Sequence, residues 1–148
     1  SSGATSSQAT TSSEASSEAS SELISEAETA RQKAESQLAS VGDTVVFGFD
    51  SASLTDASQA TLNRQSAFMQ ASPTLRVIIG GHADERGTRE YNLALGERRA
   101  AATRDYLVAK GINSARIRII SYGKERPVAV DSNDISWAKN RRSVTALN

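Results

Sequence analysis

Residues 75–102 read LRVIIGGHADERGTREYNLALGERRAAA, and this stretch decides the architecture that the rest of the chain completes. Its first five residues form a short β-branched run behind Pro73, which predicts an interior strand. Gly80 and Gly81 are predicted to end that strand. The next eight residues, 82–89, carry five ionisable side chains, and loops on rigid scaffolds are where binding residues concentrate. The stretch therefore predicts a strand, a charged loop and a long helix in succession.

The helix is predicted to begin between Thr88 and Asn92 and to end at Lys110, because Gly111 can adopt the left-handed conformation that terminates helices. Helical spacing divides its residues between two lines. The line expected to face the core comprises Leu93, Gly96, Ala100, Thr103 and Leu107. The adjacent line comprises Asn92, Leu95 and Arg99. Arg99 is therefore expected to be displayed beside the core stripe.

Two opposite charges fall on neighbouring elements, with Asp84 in the loop and Arg99 in the helix. A carboxylate and a guanidinium beside loop N–H groups and a helix N-terminus suit a ligand that carries both an ammonium and a carboxylate. The same spacing also suits a structural salt bridge between the two side chains. Spacing alone leaves both interpretations open.

Several blocks of the sequence match a known family in the same order along the chain. The blocks are Phe49-Asp50, Gly81–Thr88, Glu90–Asn92, Leu95–Ala100, Tyr106-Leu107, Gly111, Ser121–Glu125, Pro127 and Asn140–Arg142. Together they resemble the OmpA-like peptidoglycan-binding domain over about residues 43–148, and they are most similar to its lipoprotein members, the peptidoglycan-associated lipoproteins. An ordered series of blocks is far more specific than a single short motif.

The resemblance implies a non-enzymatic domain that binds the meso-diaminopimelate residue of peptidoglycan stem peptides. It implies that Asp84 holds the ammonium group of that residue and that Arg99 holds its carboxylate. The other side chains implied to line the groove are Phe49, Asp50, Arg86, Thr88, Asn92 and Leu95. The resemblance also implies that TolB and other proteins of the Tol system are partners. Neither a cofactor nor a metal is expected.

Two helix positions depart from the family pattern. Thr103 stands where the family usually has an apolar residue such as Val, and its hydroxyl can return a hydrogen bond to the carbonyl of the preceding turn. Gly96 stands where Ser is frequent, and a glycine inside a helix destabilises that helix by about 1 kcal/mol relative to Ala. Such a glycine is tolerable if the helix backbone closely approaches a ligand or a strand.

The remaining segments predict alternating strands and helices. Strands are expected at residues 43–49, 117–121 and 143–147, a helix at 56–71 with Thr55 as its cap, and a short helical turn around Trp137. This β-α-β-α-β order predicts an OmpA-like α/β fold (an α+β sandwich) in which a mixed sheet packs on helices. Phe49 and Tyr122 are expected to be core aromatics. Residues 140–142 suit either a solvated edge of the sheet or an arginine that reaches Asp50 or Asp84 and orients it.

The first 40 residues differ in composition from residues 41–148, which are expected to form the binding domain. Residues 1–21 contain ten Ser and no aliphatic residue larger than Ala, which predicts a flexible tether. Residues 22–39 predict a marginal helix. The first 40 residues carry six acidic and two basic side chains, a net charge of −4, so the rest of this neutral chain is at +4. A mildly cationic domain suits an anionic cell-wall polymer.

The Ser-Ser-Gly start and the Ser-rich segment after it are similar to a lipoprotein sequence just past its lipidated cysteine. On this interpretation a lipid outside this sequence anchors the protein to the outer membrane, and the domain lies in the periplasm of a Gram-negative bacterium. The chain has no cysteine, which excludes disulfide and thiolate chemistry. Nucleic-acid binding is not expected, because aromatic residues are few and no reading motif is recognisable.

Other functions compete with the binding interpretation. His82 and Asp84 would share a face if the strand continued, and they would then form a dyad for a nucleophile such as Ser121 or Thr88, as in a peptidoglycan hydrolase. A zinc site is less favoured, because one His and no Cys leave only carboxylates to complete it. Within the family, the wall-binding end of an OmpA porin or of a flagellar stator protein is the alternative.

Overall fold

A computed structural model describes the backbone of residues 2–148 and the side chains from residue 20 onward. The chain divides into two compact units, residues 1–36 and residues 37–148. Helix α1 (Ser2–Val41) contains the helix expected at residues 22–39. The tether predicted for residues 1–21 falls largely outside the described side chains and stays a prediction. Within the described residues, no helix is both long enough and apolar enough to cross a bilayer.

The second unit contains the remaining helices and all the strands that the structure describes. After α1 the order is β1 (Thr44–Val46), α2 (Asp56–Ala71), β2 (Val77–His82), α3 (Arg89–Ala109), β3 (Ile117–Gly123), α4 (Asp134–Asn140) and β4 (Arg142–Leu147). The sheet order is β1-β4-β2-β3, with β2 and β3 parallel and β4 antiparallel to both of its neighbours. The predicted α/β fold with a mixed sheet packed on helices is confirmed.

Side-chain caps fix where the helices begin and end. Thr55 accepts a hydrogen bond from the backbone N–H of Ser58 at the start of α2, as predicted, and Thr88 does the same for Tyr91 at the start of α3. At the other end of α3, Gly111 has a φ of +104°, and the N–H of Ile112 donates to the carbonyl of Leu107. The predicted termination of α3 is confirmed.

Strand β2 continues through its two glycines, so the prediction that Gly80 and Gly81 end the strand is wrong. The physical reason is a close backbone approach between β2 and α3. A Cβ on Gly81 would overlap the carbonyl oxygen of Gly96, and a Cβ on Gly96 would lie 2.8 Å from the carbonyl oxygen of Gly81. The two glycines let helix and strand pack directly on each other, which also explains why Gly96 is tolerated in a helix.

The core lies between the sheet and helices α2 and α3. Its fully buried apolar side chains include Leu62, Met69, Val77, Ile79 and Leu107. The residues that alternate with Val77 and Ile79 along the sheet line a broad cavity of about 830 Å³ on the other face. Two aromatic predictions are wrong: Phe47 rather than Phe49 is buried, and Tyr122 lines that open cavity. Because β1 ends at Val46, strand alternation no longer governs the residues that follow it.

Candidate functional site

A pocket of about 190 Å³ lies where the β1–α2 loop, the β2–α3 loop and the first half of α3 meet. It is lined by Phe49, Asp50, Asp84, Arg86, Gly87, Tyr91, Asn92, Leu95 and Arg99. The pocket brings together seven of the eight side chains expected in a groove. The exception is Thr88, whose hydroxyl caps α3 instead. Sequence reasoning missed Gly87 and Tyr91, although Tyr91 lies one helical turn before Leu95 and so belongs to the same line.

Arg99 is fully buried, so the expectation that it is displayed beside the core stripe is wrong. Its guanidinium donates to three backbone carbonyls: Nε to Ser51 at 2.9 Å, Nη1 to His82 at 2.8 Å and Nη2 to Gly48 at 3.0 Å. Burial lowers the pKa of Arg99 to about 10, although the charge of Asp84 opposes that shift. Arg99 therefore stays charged at neutral pH and joins β2 to the β1–α2 loop.

Asp84 is also buried, and its ion pairs are with other arginines. Its Oδ2 lies 2.8 Å from Nη2 of Arg86 and 3.6 Å from Nη1 of Arg141. Within the described part of the chain, the direct salt bridge between Asp84 and Arg99 is not formed. Burial alone would raise the pKa of Asp84, but the hydrogen bonds and charge of Arg86, with the charge of Arg141, hold that pKa below its ordinary value. Of the two interpretations of residues 140–142, the one in which an arginine reaches Asp84 is confirmed.

Arg86, which lines the pocket, is stacked between two aromatic rings. The guanidinium carbon of Arg86 lies 4.1 Å from the ring centroid of Phe49 and 4.1 Å from that of Trp137. Trp137 is held in place because its indole N–H donates to Oε1 of Glu85 at 2.9 Å. Sequence spacing gave no signal for Trp137, since α4 follows the loop by about fifty residues and only the fold brings the two together.

The walls of the pocket are fixed by polar contacts. Asp50 has a φ of +52°, a left-handed conformation that Asp tolerates, and its Oδ1 accepts a hydrogen bond from the Tyr91 hydroxyl. The Asn92 amide donates to the carbonyl of Arg86 at 2.9 Å, and the Lys124 ammonium donates to that of Gly87 at 2.7 Å. The pocket thus contains two buried charges of opposite sign, Asp84 on a loop held by these hydrogen bonds and Arg99 on helix α3.

The dyad of His82 and Asp84 is not formed. Strand β2 ends at His82, whose ring lines the open cavity and stacks on Tyr122, with 5.2 Å between the ring centroids. Burial, with the charges of Arg142 and Arg126, lowers the pKa of His82 to about 4, and its Nδ1 has no hydrogen-bond partner in the part of the chain that the structure describes. The Ser121 hydroxyl donates to the carbonyl of Leu93 at 2.6 Å, so this nucleophile candidate has a structural partner.

The fold is that of an OmpA-family domain. Residues 46–141 match the OmpA family, and the chain belongs to it. Among its relatives, the peptidoglycan-associated lipoprotein of Brucella melitensis is 56% identical over 108 residues, covering 73% of this chain and 64% of that protein. The protein of the same name from Rhizobium meliloti is 58% identical over 107 residues, covering 72% of this chain and 61% of the relative.

A solved structure extends the comparison to three dimensions. The crystal structure of the peptidoglycan-associated lipoprotein from Burkholderia pseudomallei has a TM-score of 0.70 and 42% sequence identity to this chain, and the match covers 72% of this chain and 90% of that one. The chain spans less than two thirds of the length of the Brucella and Rhizobium relatives. It is a homologue of peptidoglycan-associated lipoproteins, and its domain belongs to a non-enzymatic family.

Proposed function

We propose that this protein binds the meso-diaminopimelate residue of peptidoglycan stem peptides without changing it chemically. The observation that carries the proposal is the convergence of Asp84 and Arg99, both buried and both charged at neutral pH, on one pocket. Diaminopimelate differs from lysine by a carboxylate beside the distal ammonium. A site with one acceptor and one donor can recognise that pair of charges.

Arg99 has donors left for a ligand, whereas the acceptor positions of Asp84 are occupied by Arg86 in the free protein. A guanidinium has five N–H groups, and three of those of Arg99 are used by carbonyls, so two can donate to a carboxylate. An ionised carboxylate such as that of Asp84 only accepts, which suits an ammonium. The pocket, at about 190 Å³, is smaller than the roughly 300–1,000 Å³ of sites for drug-sized ligands. That size favours one end of an amino acid over a whole stem peptide.

The wider role rests on the relatives. Proteins 56% and 58% identical to this chain are named peptidoglycan-associated lipoproteins. We therefore propose that the protein is held to the outer membrane by an N-terminal lipid, lies in the periplasm and links that membrane to the cell wall. TolB and other Tol proteins are the proposed protein partners. The names of these two relatives favour this role over that of an OmpA porin or a flagellar stator protein.

Calorimetric titration tests the charge recognition directly. The protein is titrated with two stem peptides that differ only in carrying meso-diaminopimelate or lysine at the third position. We expect saturable binding of the first peptide and at least about tenfold weaker binding of the second, because lysine leaves the buried Arg99 without its carboxylate. Equal affinity for the two peptides contradicts the proposal.

A pair of variants separates the site from general charge effects. Asp84→Asn removes the proposed acceptor for the ammonium, whereas Asp105→Asn removes an exposed carboxylate of α3 that pairs with its neighbour Arg104. Binding of the diaminopimelate peptide should be lost in the first variant and retained in the second. Wild-type affinity in Asp84→Asn, with the fold intact by circular dichroism, argues against the assigned role of Asp84.

A further inference from the structure

Arg86 occupies the acceptor positions of Asp84 that an incoming ammonium requires. Its Nε lies 3.1 Å from Oδ1 and its Nη2 lies 2.8 Å from Oδ2, so the guanidinium forms a bidentate salt bridge with the carboxylate. The backbone N–H of Arg86 donates to Oδ1 as well, at 3.0 Å. Arg86 therefore stands in the pocket as a cation already bound to Asp84.

The charges around Asp84 disfavour a further cation. Arg141 lies 3.6 Å from Oδ2, and Arg99 lines the same pocket as Asp84. A ligand ammonium would be the fourth positive group near one carboxylate, and like charges at such separations repel strongly where water is scarce. Of the three arginines, Arg99 and Arg141 are tied to backbone carbonyls, whereas the Arg86 side chain makes its hydrogen bonds only to Asp84 in the described structure.

The Arg86 side chain also has a route out of the pocket. It is 33% exposed, while the side chain of Asp84 is 5% exposed, so the guanidinium reaches a buried carboxylate from the solvent side. The two rings that flank the Arg86 guanidinium are held to different degrees. Trp137 is hydrogen-bonded to Glu85, whereas Phe49 is 64% exposed. A guanidinium between a fixed ring and an exposed ring can leave without disrupting the core.

We infer that Arg86 is a placeholder cation, which neutralises Asp84 in the free protein and is displaced by the ammonium group of the ligand. The inference rests on the proposed function, because it assumes that an ammonium ligand binds Asp84. It assigns Arg86 a regulatory role that opposes binding, in contrast to the direct contact that the family resemblance implies. Displacement also removes a cation from the face of Trp137, the single tryptophan of the chain, so ligand binding should change its fluorescence.

The test compares the wild-type protein, Arg86→Ala and Arg89→Ala in titrations with the meso-diaminopimelate tripeptide. Arg89 is the matched control, because it is an exposed arginine near the same loop and pairs with Glu125 outside the pocket. We expect Arg86→Ala to bind about fivefold more tightly than wild type, since a partly exposed ion pair no longer has to be broken. Its Trp137 emission should respond little to ligand, whereas wild type and Arg89→Ala should show a clear change.

The outcomes separate this inference from the proposed function. Weaker binding by Arg86→Ala, alongside normal binding by wild type, makes Arg86 a direct ligand contact and overturns the inference alone. Absence of binding by wild type overturns the proposed function and the inference with it. If Arg86→Ala does not fold, Arg86→Lys decides, because a lysine keeps the charge without the planar fork. Binding by the Arg86→Lys variant that is no tighter than that of wild type, with an unchanged Trp137 response, also contradicts the placeholder role.

Discussion

The backbone of Gly96 in α3 lies directly against that of Gly81 in β2, with no room for a side chain on either residue. This contact sets the position of the pocket. Strand β2 leads into the loop that carries Asp84, and α3 carries Asn92, Leu95 and Arg99 on the turns around Gly96. Any separation of the helix from the strand would therefore widen the gap between the two charged groups of the proposed site.

Gly81→Ala should destabilise the protein by about 3 kcal/mol, the upper range for forcing extra atoms into a packed interior. The added Cβ would overlap the carbonyl oxygen of Gly96, which is backbone and cannot rotate away. Urea denaturation followed by circular dichroism measures the change. Gly48→Ala is the control, because a Cβ there would have Ser51 Cβ as its nearest neighbour at 3.9 Å. Equal losses in the two variants would contradict the packing argument.

Arg99→Lys should destabilise the fold by about 3 kcal/mol, because buried carbonyls lose charge-assisted hydrogen bonds. The guanidinium reaches the carbonyls of Gly48, Ser51 and His82 at once, and a single ammonium cannot reproduce that geometry. The free energy of unfolding from urea titration tests this. A binding defect in Arg99→Ala thus reports on folding as well as on recognition, which makes Asp84→Asn the cleaner probe of the site.

The neighbouring residue provides the control for Arg99. Arg98 is exposed on the same helix, and Arg98→Lys should change the free energy of unfolding by less than about 0.5 kcal/mol, as surface substitutions usually do. Similar losses at positions 98 and 99 would show that the effect comes from helix propensity or general charge. In that case the carbonyl contacts of Arg99 would not explain its burial.

Much of the fold could be predicted from local signals, because its helix ends are encoded by neighbouring residues. Thr55 and Gly111 mark ends of α2 and α3 through bonds within a few positions, and both predictions are confirmed. The continuation of β2 through Gly81 could not be predicted. Position 81 requires a glycine because Gly96, in helix α3, packs directly against it. From the local sequence alone, a pair of glycines indicates the end of a strand.

The residues that line the pocket are easier to predict than the burial and the partners of its charged side chains. Helical spacing places Asn92, Leu95 and Arg99 on one line, and all three line the pocket. Spacing could not predict the burial of Arg99, since the covering carbonyls come from segments far away in the sequence. The partners of Asp84 are only partly predictable: an arginine of residues 140–142 is one of two interpretations of that run, whereas the sequence assigns Arg86 to the ligand.

Thr103 and Ser143 should behave as a coupled pair in a double-mutant cycle. The Thr103 hydroxyl donates to the carbonyl of Arg99 at 3.0 Å, as its sequence position predicted, and its oxygen lies 2.7 Å from that of Ser143. Thr103→Val should cost about 1–2 kcal/mol, because the buried Ser143 hydroxyl loses its partner. Combining it with Ser143→Ala should restore part of that loss. Additive effects in urea unfolding would rule out the coupling.

His82 should make the stability of the protein depend on pH between about 4 and 6.5. Its ordinary pKa of 6.5 falls to about 4 in the folded state, because the ring is buried and faces the charges of Arg142 and Arg126 beside Tyr122. Between these values the unfolded chain binds a proton that the folded protein does not, so stability falls as pH falls through this window, by up to about 3 kcal/mol. Carboxylates with lowered pKa values, such as Asp84, lose their contribution to stability only at lower pH.

The variant His82→Phe tests this assignment. It keeps an aromatic ring on Tyr122 and should flatten the pH dependence of stability, as measured by urea unfolding at pH 7, 5.5 and 4.5. Identical slopes for the two proteins across this window would contradict the assignment to His82.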